Sequence, residues 1–414
     1  MAAFNSKITF LIIFFTFSIC QAQSGWIHQQ SGVSVDSLRS VRFINSQTGW
    51  IAGTNGIILK STNGGNNWNT VKAGISWDLY SISLISDSII FACGENGIII
   101  KSTNSGFSWN NLSSGVNVRL NSIIFLNSLT GFSAGFEGVI LKTINGGDSW
   151  TILSSGTDIQ LNSVFFTSPY KGWSAGYGGI FNTSDGGSSW QPQFIDGSLV
   201  LNSIYFTDSL HGWSAYYDNN TFGPENVRTT SGGLEWINYS MNNSYSISVF
   251  FTDNIKGWSS GYYGMINYST DGGVTWTNQS SGTSEHLNSV YFSNAYTGWC
   301  VGNSGIILKT TSAGVLTNFS DTENHIPEDF ILEQNYPNPF NPSTIISYTI
   351  KSEDFVSLIV CDIQGKEVFV LINEKQRPGD YKVKFDPDNL SSGIYLYRLT
   401  AGSNSETKKM VLIR

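Results

Sequence analysis

A serine that recurs at a nearly constant interval is the feature of this sequence that most restricts its fold. Successive occurrences are separated by 41, 41, 41, 40, 45 and 41 residues. The seven positions are Ser40, Ser81, Ser122, Ser163, Ser203, Ser248 and Ser289. A period close to 40 residues is typical of an architecture made of repeated structural units.

Each repeat contains four short strand patterns joined by glycine-containing turns. The consensus runs L-x-S-[VI]-x-F, G-W-x-x-G, G-x-I-x-x-[ST] and G-G-x-x-W. Alternating apolar residues bounded by glycines predict β-strands, and four strands per repeat are typical of a β-propeller blade. The sequence therefore predicts an all-β protein whose main domain is a seven-bladed propeller.

The composition agrees with this class. Aromatic residues make up 14% of the chain and charged residues 13%, and the net charge is −8. Low charge with many aromatic residues and glycines favours a packed β protein over a disordered chain. No stripe of lysine or arginine occurs, so nucleic-acid binding is not expected.

The first 22 residues predict a signal peptide. Lys7 provides a positive start, an uncharged apolar run covers residues 8–19, and Cys20-Gln21-Ala22 forms a cleavage site of the signal-peptidase type. Lipidation of Cys20 is the alternative, although the preceding Ile19 does not suit it. We expect the mature chain to begin at Gln23 and to contain no transmembrane span, because no second long apolar run follows.

The two ends of the repeat array complement each other. Six repeats carry a tryptophan in the turn before the fourth strand, and the seventh has Thr317 at that position. Residues 26–32 resemble residues 109–115 and 276–282, which follow turn tryptophans. We expect this N-terminal segment to supply the outer strand of blade seven, which removes an exposed sheet edge. The predicted propeller covers residues 23–318.

The glycine-rich turns carry a family resemblance. Residues 183–190 and 269–276 resemble the Asp-box of sialidase-type repeats. The whole repeat resembles the photosystem II stability/assembly factor family of propellers. That resemblance implies the fold, whereas the photosynthetic role carries over poorly because the chain is predicted to be exported by another route.

The C-terminal part has a different composition and predicts a second domain. A polar linker is predicted at 319–330, and short alternating strands over 331–414 predict a small β-sandwich. This region resembles the C-terminal sorting domain of type IX secretion cargo, although Cys361 stands where tyrosine is common. The matching segments are 335–344, 360–368, 390–395 and 408–414. The resemblance implies Sec export, passage through the outer membrane and type IX secretion machinery as a partner.

The repeat order predicts which loops could form a site. Loops between second and third strands share one face with the loops between blades, and the Asp-box turns lie on the opposite face. Asp185 and Asp271 are therefore interpreted as turn-forming residues. A sialidase needs clustered arginines, and we expect Arg39 and Arg42 to point to opposite sides of their strand, so that activity is rejected.

The face with the inter-blade loops is the predicted binding rim. Its candidate residues are Trp77, Glu95, Arg119, Glu137, Tyr177, Tyr217, Asp218, Tyr262, Tyr263 and His286. Aromatic side chains with carboxylates suit a glycan or a protein ligand, although a simple ring of solvated loops would show the same residues. Glu95 and Glu137 lie in adjacent repeats and could form an acid/base pair.

Three functions remain open at this point. The first is a secreted or surface-displayed scaffold that binds a glycan or protein without catalysis. The second is an extracellular carbohydrate-active enzyme, and the third is an assembly factor for an envelope complex, by analogy with the family. No cofactor and no metal site are predicted, because the histidines are scattered and Cys93, Cys300 and Cys361 lack ligand spacing.

Overall fold

The computed structural model describes residues 25–34, 36–218, 224–240, 245–315, 330–335, 337–376, 379–387 and 390–413. The chain divides into two compact units, Met1–Thr317 and Asn318–Arg414. The predicted signal peptide and all but the last residue of the predicted linker lie outside the described residues. The predicted domain limits stay predictions.

The first unit is built from short antiparallel strands in the order that the repeats predict. They are β1 (Gly25–Gln29), β2 (Leu38–Phe43), β3 (Gly49–Gly53), β4 (Ile57–Ser61), β5 (Asn69–Lys72), β6 (Leu79–Leu84), β7 (Ile90–Gly94), β8 (Ile99–Ser102), β9 (Asn110–Leu112), β10 (Leu120–Phe125), β11 (Gly131–Gly135), β12 (Ile140–Thr143), β13 (Thr151–Leu153), β14 (Leu161–Phe166), β15 (Gly172–Thr183), β16 (Gln191–Phe206), β17 (Gly212–Asp218), β18 (Pro224–Thr229), β19 (Ile237–Ser240), β20 (Ser246–Phe251), β21 (Gly257–Gly261), β22 (Ile266–Ser269), β23 (Thr277–Gln279), β24 (Leu287–Phe292), β25 (Gly298–Gly302) and β26 (Ile307–Gly314).

These strands form five four-stranded sheets and one six-stranded sheet. The six-stranded sheet contains the fourth and fifth repeats, because the long β16 pairs with β15 through its first half and with β17 through its second half. In the other repeats, the outer strand of one repeat and the inner strand of the next are separate strands. The all-β propeller fold is confirmed, and the count of seven separate blades stays a prediction.

The recurring serines join the inner strands into a closed cycle. In each repeat, the serine Oγ accepts a hydrogen bond from a backbone N–H of the next inner strand, at 3.2–3.4 Å. The donors, in chain order, belong to Ile82, Ile123, Val164, Ile204, Val249 and Val290, and the last serine returns to Val41. The serine that recurs in the sequence therefore connects neighbouring repeats.

The N-terminal strand completes the last sheet, as predicted. β1 pairs antiparallel with β26, with His28 opposite Leu308. Trp26 is 2% exposed, and its ring meets Phe292 edge-on with centroids 5.7 Å apart. Trp276 meets Phe251 in the same way at 5.8 Å, so Trp26 takes the place of the missing seventh turn tryptophan.

The G-W and x-F patterns recur at a constant spacing because their aromatic residues stack between consecutive repeats. Trp173 of β15 stacks on Phe206 of β16, with ring centroids 3.6 Å apart. Trp213 and Phe251 repeat the arrangement one sheet later, at 3.7 Å. Such pairs add specific geometry to a large buried apolar area.

The second unit is a small β-sandwich, as predicted. Its strands are β27 (Ile331–Leu332), β28 (Thr344–Ile350), β29 (Asp354–Cys361), β30 (Glu367–Gln376), β31 (Gly379–Phe385), β32 (Gly393–Ala401) and β33 (Asn404–Leu412). A three-stranded and a four-stranded sheet enclose one apolar core that includes Tyr348, Tyr397 and Met410. Within the described parts of both units, no helix is long and apolar enough to cross a membrane.

Candidate functional site

One end of the propeller unit carries the loops that were predicted to form a rim. Leu38, at the start of β2, pairs with Gly53, directly before the 3-10 turn Thr54–Gly56. The inner strands therefore begin at the same end as the turns between second and third strands, and we call this end the mouth face. The arrangement recurs in Glu95–Gly97, Phe136–Gly138, Tyr262–Gly264 and Asn303–Gly305.

A central channel opens at the mouth face. Its outer part is a cavity of about 410 Å³ lined by all seven recurring serines, and a second cavity of about 380 Å³ continues from it. The outer part is also lined by the residue directly before each recurring serine, namely Arg39, Tyr80, Asn121, Asn162, Asn202, Ile247 and Asn288. The first strand of each repeat thus supplies the channel wall.

Asparagines in the L-x-S pattern fasten the mouth of the channel. The Asn121 amide donates to the Leu161 carbonyl at 2.8 Å, and the Asn162 amide donates to the Leu201 carbonyl at 2.9 Å. Asn202 and Asn288 make the same type of bond to the following inner strand. Arg39 and Tyr80 occupy this position in the first two repeats, where their side chains can contact a ligand instead.

Three arginines converge on the channel. Tyr80 lies between the guanidinium groups of Arg39 and Arg119, whose Cζ atoms are 4.4 and 4.7 Å from its ring centroid. Arg119 also lies 4.0 Å from the ring centroid of Phe136, and its Nε donates to Asn121 Oδ1 at 2.9 Å. Stacking of this kind fixes the direction of a guanidinium group while its charge stays available.

The expectation that Arg39 and Arg42 point to opposite sides is wrong. Both line the outer cavity. A bulge between Leu38 and Ser40 shifts the register of β2 against β3, and a bulge changes the alternation of side chains along a strand. The same bulge occurs in the other inner strands that were expected to alternate regularly.

Arg42 lies deeper than the other two arginines. It lines both cavities, its guanidinium donates to the Val41 carbonyl at 2.8 Å, and the Tyr291 ring centroid is 5.9 Å away. Burial lowers the pKa of Arg42, against the opposing effect of Tyr291 and Tyr205. Burial likewise raises the pKa of Tyr205 to about 12.

Three of the predicted rim residues line the outer cavity, and two lie beside it. The first group is Arg119, Tyr177 and Tyr262. The His286 ring is 4.6 Å from the Tyr262 ring, and its Nδ1 accepts a hydrogen bond from the Tyr263 N–H at 3.1 Å. Tyr263 has a φ of 55° and a 72% exposed side chain, so a bulky residue is held in the left-handed region at the rim.

The remaining predicted residues are dispersed. Trp77 is 47% exposed on its inter-blade loop. Glu95 is the first residue of its 3-10 turn and Glu137 the second residue of the next, so the two are not equivalent, and neither lines the two cavities. Tyr217 and Asp218 end β17, and their side chains lie outside the described part of the chain.

Arg39, Arg42, Tyr80 and the four asparagines were not among the predicted rim residues. Their signal was present, since all but Arg42 occupy the variable position directly before the recurring serine, and Arg42 occupies the variable position two residues after it. The loops drew the prediction instead, because binding residues are often found on loops. In this protein the inner strands build the channel wall, so residues within the strand patterns are the better candidates.

The chemistry that these residues offer is hydrogen bonding and positive charge. No aspartate or glutamate lines either cavity. Asp78 contacts Arg39 from outside the channel lining, with 3.5 Å between the charged groups. Among the described residues, no cluster of three or more histidine, cysteine or acidic side chains is arranged to hold a metal ion.

Comparison with known proteins agrees with this architecture. Residues 20–115 and 226–332 match the family described as photosynthesis system II assembly factor YCF48. Residues 334–413 match the secretion system C-terminal sorting domain. No curated protein is significantly similar to the chain in sequence.

Solved structures are similar in fold at low sequence identity. YCF48 bound to D1 peptide has a TM-score of 0.59 and 18% identity, covering 70% of this chain and 98% of that chain. YCF48 from Cyanidioschyzon merolae has a TM-score of 0.58 and 19% identity, with 69% and 98% covered. The GH74 enzyme of Niastella koreensis has a TM-score of 0.58 and 14% identity, with 78% and 59% covered. This chain therefore joins propeller repeats that match the YCF48 assembly factor family to a tail that matches the secretion system C-terminal sorting domain.

Proposed function

We propose that this protein is a binding module without catalytic activity, exported by a type IX secretion system and presented at the cell surface or released. The C-terminal region 331–414 is the part that the secretion machinery recognises, in keeping with its match to the sorting domain. The signal peptide of residues 1–22 directs the first step through the Sec pathway. The propeller is the part that acts outside the cell.

The proposed ligand is an extended protein segment held across the mouth face. The observation that carries this proposal is the convergence of Arg39, Arg119 and Tyr80 at one opening, beside Tyr262 and His286. Stacked guanidinium groups bind carboxylate and carbonyl oxygens of peptides, and tyrosine rings supply rigid contact area. A solved relative in fold is described as bound to a peptide, which supports the same class of ligand.

The carbohydrate-active alternative has weaker support. Hydrolysis of a glycosidic bond in most enzymes of this class requires two carboxyl groups that face one cleft, about 5–10 Å apart. The channel lining offers arginine, amide and hydroxyl groups, and Glu95 and Glu137 stand outside it. A glycan that binds to the rim without turnover is an outcome that the following experiment would reveal.

The test uses the full-length secreted protein as bait for surface and secreted proteins, peptide arrays and glycan arrays. Arg119→Gln should weaken capture of a protein segment at least about tenfold, the effect of losing one charge-assisted hydrogen bond. Lys72→Gln removes the same charge from exposed β5 and serves as the matched control. Equal capture by both variants, or turnover of a polysaccharide, would refute the proposed function.

Export is tested separately. A chain that ends before residue 331 should fold in the periplasm and remain there, whereas the full chain reaches the surface or the medium. Surface exposure of the shortened chain would contradict the role of the tail without affecting the proposal for the mouth face.

A further inference from the structure

We propose that the interior of the channel is a second binding site, specific for a small oxyanion such as a carboxylate, phosphate or sulfate group. The site is formed by Arg42 and the hydroxyl groups of the recurring serines, below the rim residues that are proposed to bind a protein segment. It does not depend on that ligand. Four observations support it.

The charge of the channel is opposite to that of the whole molecule. The chain has 30 acidic residues against 22 lysines and arginines. Only four arginines precede residue 320, and three of them line the channel, with no acidic residue in the lining. A narrow cavity with walls of one charge concentrates its field and attracts ions of the other sign. The channel is therefore an attractive site for an anion on a protein whose net charge is −8.

Arg42 lacks a counter-ion in the described part of the chain. Its guanidinium has one hydrogen bond, to the Val41 carbonyl, and no carboxylate within ion-pair distance. Arg39 differs, because Asp78 lies 3.5 Å from it. Arg42 is partly buried, and a partly buried charge without a partner is costly, so a folded protein that keeps one gains when an oppositely charged ligand binds.

The serine hydroxyls provide neutral donors beside this charge. Each serine Oγ accepts a backbone N–H from the next repeat, and a hydroxyl can also donate one hydrogen bond. Among the described residues, no protein atom receives that donation. Because all seven serines line the outer cavity, their O–H groups are free to turn toward a bound anion.

The inner half of the channel provides an apolar wall next to the charge. Phe165, Tyr205, Phe250 and Tyr291 follow one another with ring centroids 4.8–5.1 Å apart. The Tyr291 hydroxyl is occupied, since it donates to the Phe43 carbonyl at 2.8 Å. Aromatic walls lower the local dielectric, which strengthens the attraction between Arg42 and an anion. A cavity of about 380–410 Å³ admits a small anion with its water.

Equilibrium dialysis of the full-length protein with labelled phosphate, sulfate and acetate tests the proposal. We expect binding of about one ion per chain, and Arg42→Met should weaken it at least about tenfold. Lys72→Met removes one positive charge on exposed β5 and should leave the binding unchanged. A peptide with a free C-terminal carboxylate and its amidated form distinguish a peptide end from a free ion as the natural source.

Thermal unfolding separates a ligand role of Arg42 from a structural role. Without added anion, Arg42→Met should unfold at a higher temperature than the natural protein, because an unpaired, partly buried charge is replaced by an unbranched apolar side chain. Phosphate, at ionic strength matched with chloride, should raise the unfolding temperature of the natural protein only. A structural role predicts the reverse sign for the variant in the absence of anion.

If Arg42→Met does not fold, the double variant Arg39→Gln and Arg119→Gln weakens the same field from the mouth and should reduce anion affinity. Selenate added to crystals gives the position of the ion, expected beside Arg42. Equal affinity of the natural protein and the arginine variants, or selenate bound only outside the channel, would overturn the proposal. Anion binding by the natural protein tests the channel interior, and capture of a protein segment by the natural protein tests the mouth face, so either proposal can fail while the other holds.

Discussion

At the scale of single residues, the recurring serine has a structural role that can be measured. Ser163→Ala removes the acceptor of the Ile204 N–H, which lies 3.2 Å from Oγ in a residue that is 3% exposed. An unsatisfied buried donor costs about 1–3 kcal/mol, so we expect a loss of that size in the free energy of unfolding. Urea denaturation measures it, and Ser188→Ala, at an exposed turn, should change stability by less than about 0.5 kcal/mol. Equal effects would show that the serine cycle does not stabilise the ring.

The Asp-box aspartate gives a pH dependence of defined sign. The Ser189 hydroxyl, the Ser189 N–H and the Thr183 hydroxyl donate to Asp185 and lower its pKa from 3.8 to about 2. A carboxyl group whose pKa is lower in the folded state stabilises the protein above pH 4, and this contribution disappears as the pH falls toward 2. In the equivalent turn of the preceding repeat, Asn145 Oδ1 accepts the same hydrogen bond from the Ser149 N–H, so Asp185→Asn should fold. We expect its stability to differ from that of the natural protein at pH 5 and to converge with it near pH 2, as followed by thermal unfolding. A constant difference would contradict the assigned hydrogen bonds.

The orientation of the channel residues could not be predicted from the sequence. Arg119 was selected because it lies in an inter-blade loop, whereas Arg39 and Arg42 lie in a strand pattern whose alternation placed them on opposite sides. The bulge that brings Arg39 to the same side as Ser40 and Arg42 leaves no mark in the sequence, because Leu38, Arg39 and Ser40 fit a regular strand equally well. The residue types were visible, and their orientation required the backbone.

At the scale of strands, β1 is expected to close the ring through one side chain. Trp26→Ala removes a ring that is 2% exposed, its edge contact with Phe292 and its hydrogen bond to Gln279. Truncation of a buried tryptophan costs about 3–5 kcal/mol, and an unpaired β26 would then be a sheet edge open to aggregation. Chemical denaturation and light scattering test both effects. Ile27→Ala is the control on the same strand, since Ile27 is 64% exposed.

The strands were predictable in type and order, and one strand boundary was not. The patterns of period two gave every inner strand, but β16 continues through a position where other repeats turn. Gly115 and Gly156, each six residues after a turn tryptophan, have a φ of 80° and 76°, which breaks the strand. The equivalent residue after Trp190 is Asp196, which is not in the left-handed region. Aspartate enters that region less readily than glycine but is not excluded from it, so the sequence left open whether the fourth and fifth repeats would separate.

At the scale of the whole molecule, the two units have separate cores, and the tryptophans report on only one of them. All 13 tryptophans precede residue 300, and the core of the second unit contains tyrosine, phenylalanine and aliphatic side chains. Met410→Ala, in a position with 0% exposure, should destabilise the second unit by about 2–5 kcal/mol. Because a domain with its own core can unfold as its own cooperative unit, we expect two calorimetric transitions, and this variant should lower only the one that tryptophan fluorescence does not detect. Trp26→Ala should lower only the transition of the propeller unit.

A single transition that both variants shift together would mean that sorting tail and propeller fold as one body. A tail of that kind could not be removed after export without loss of the propeller.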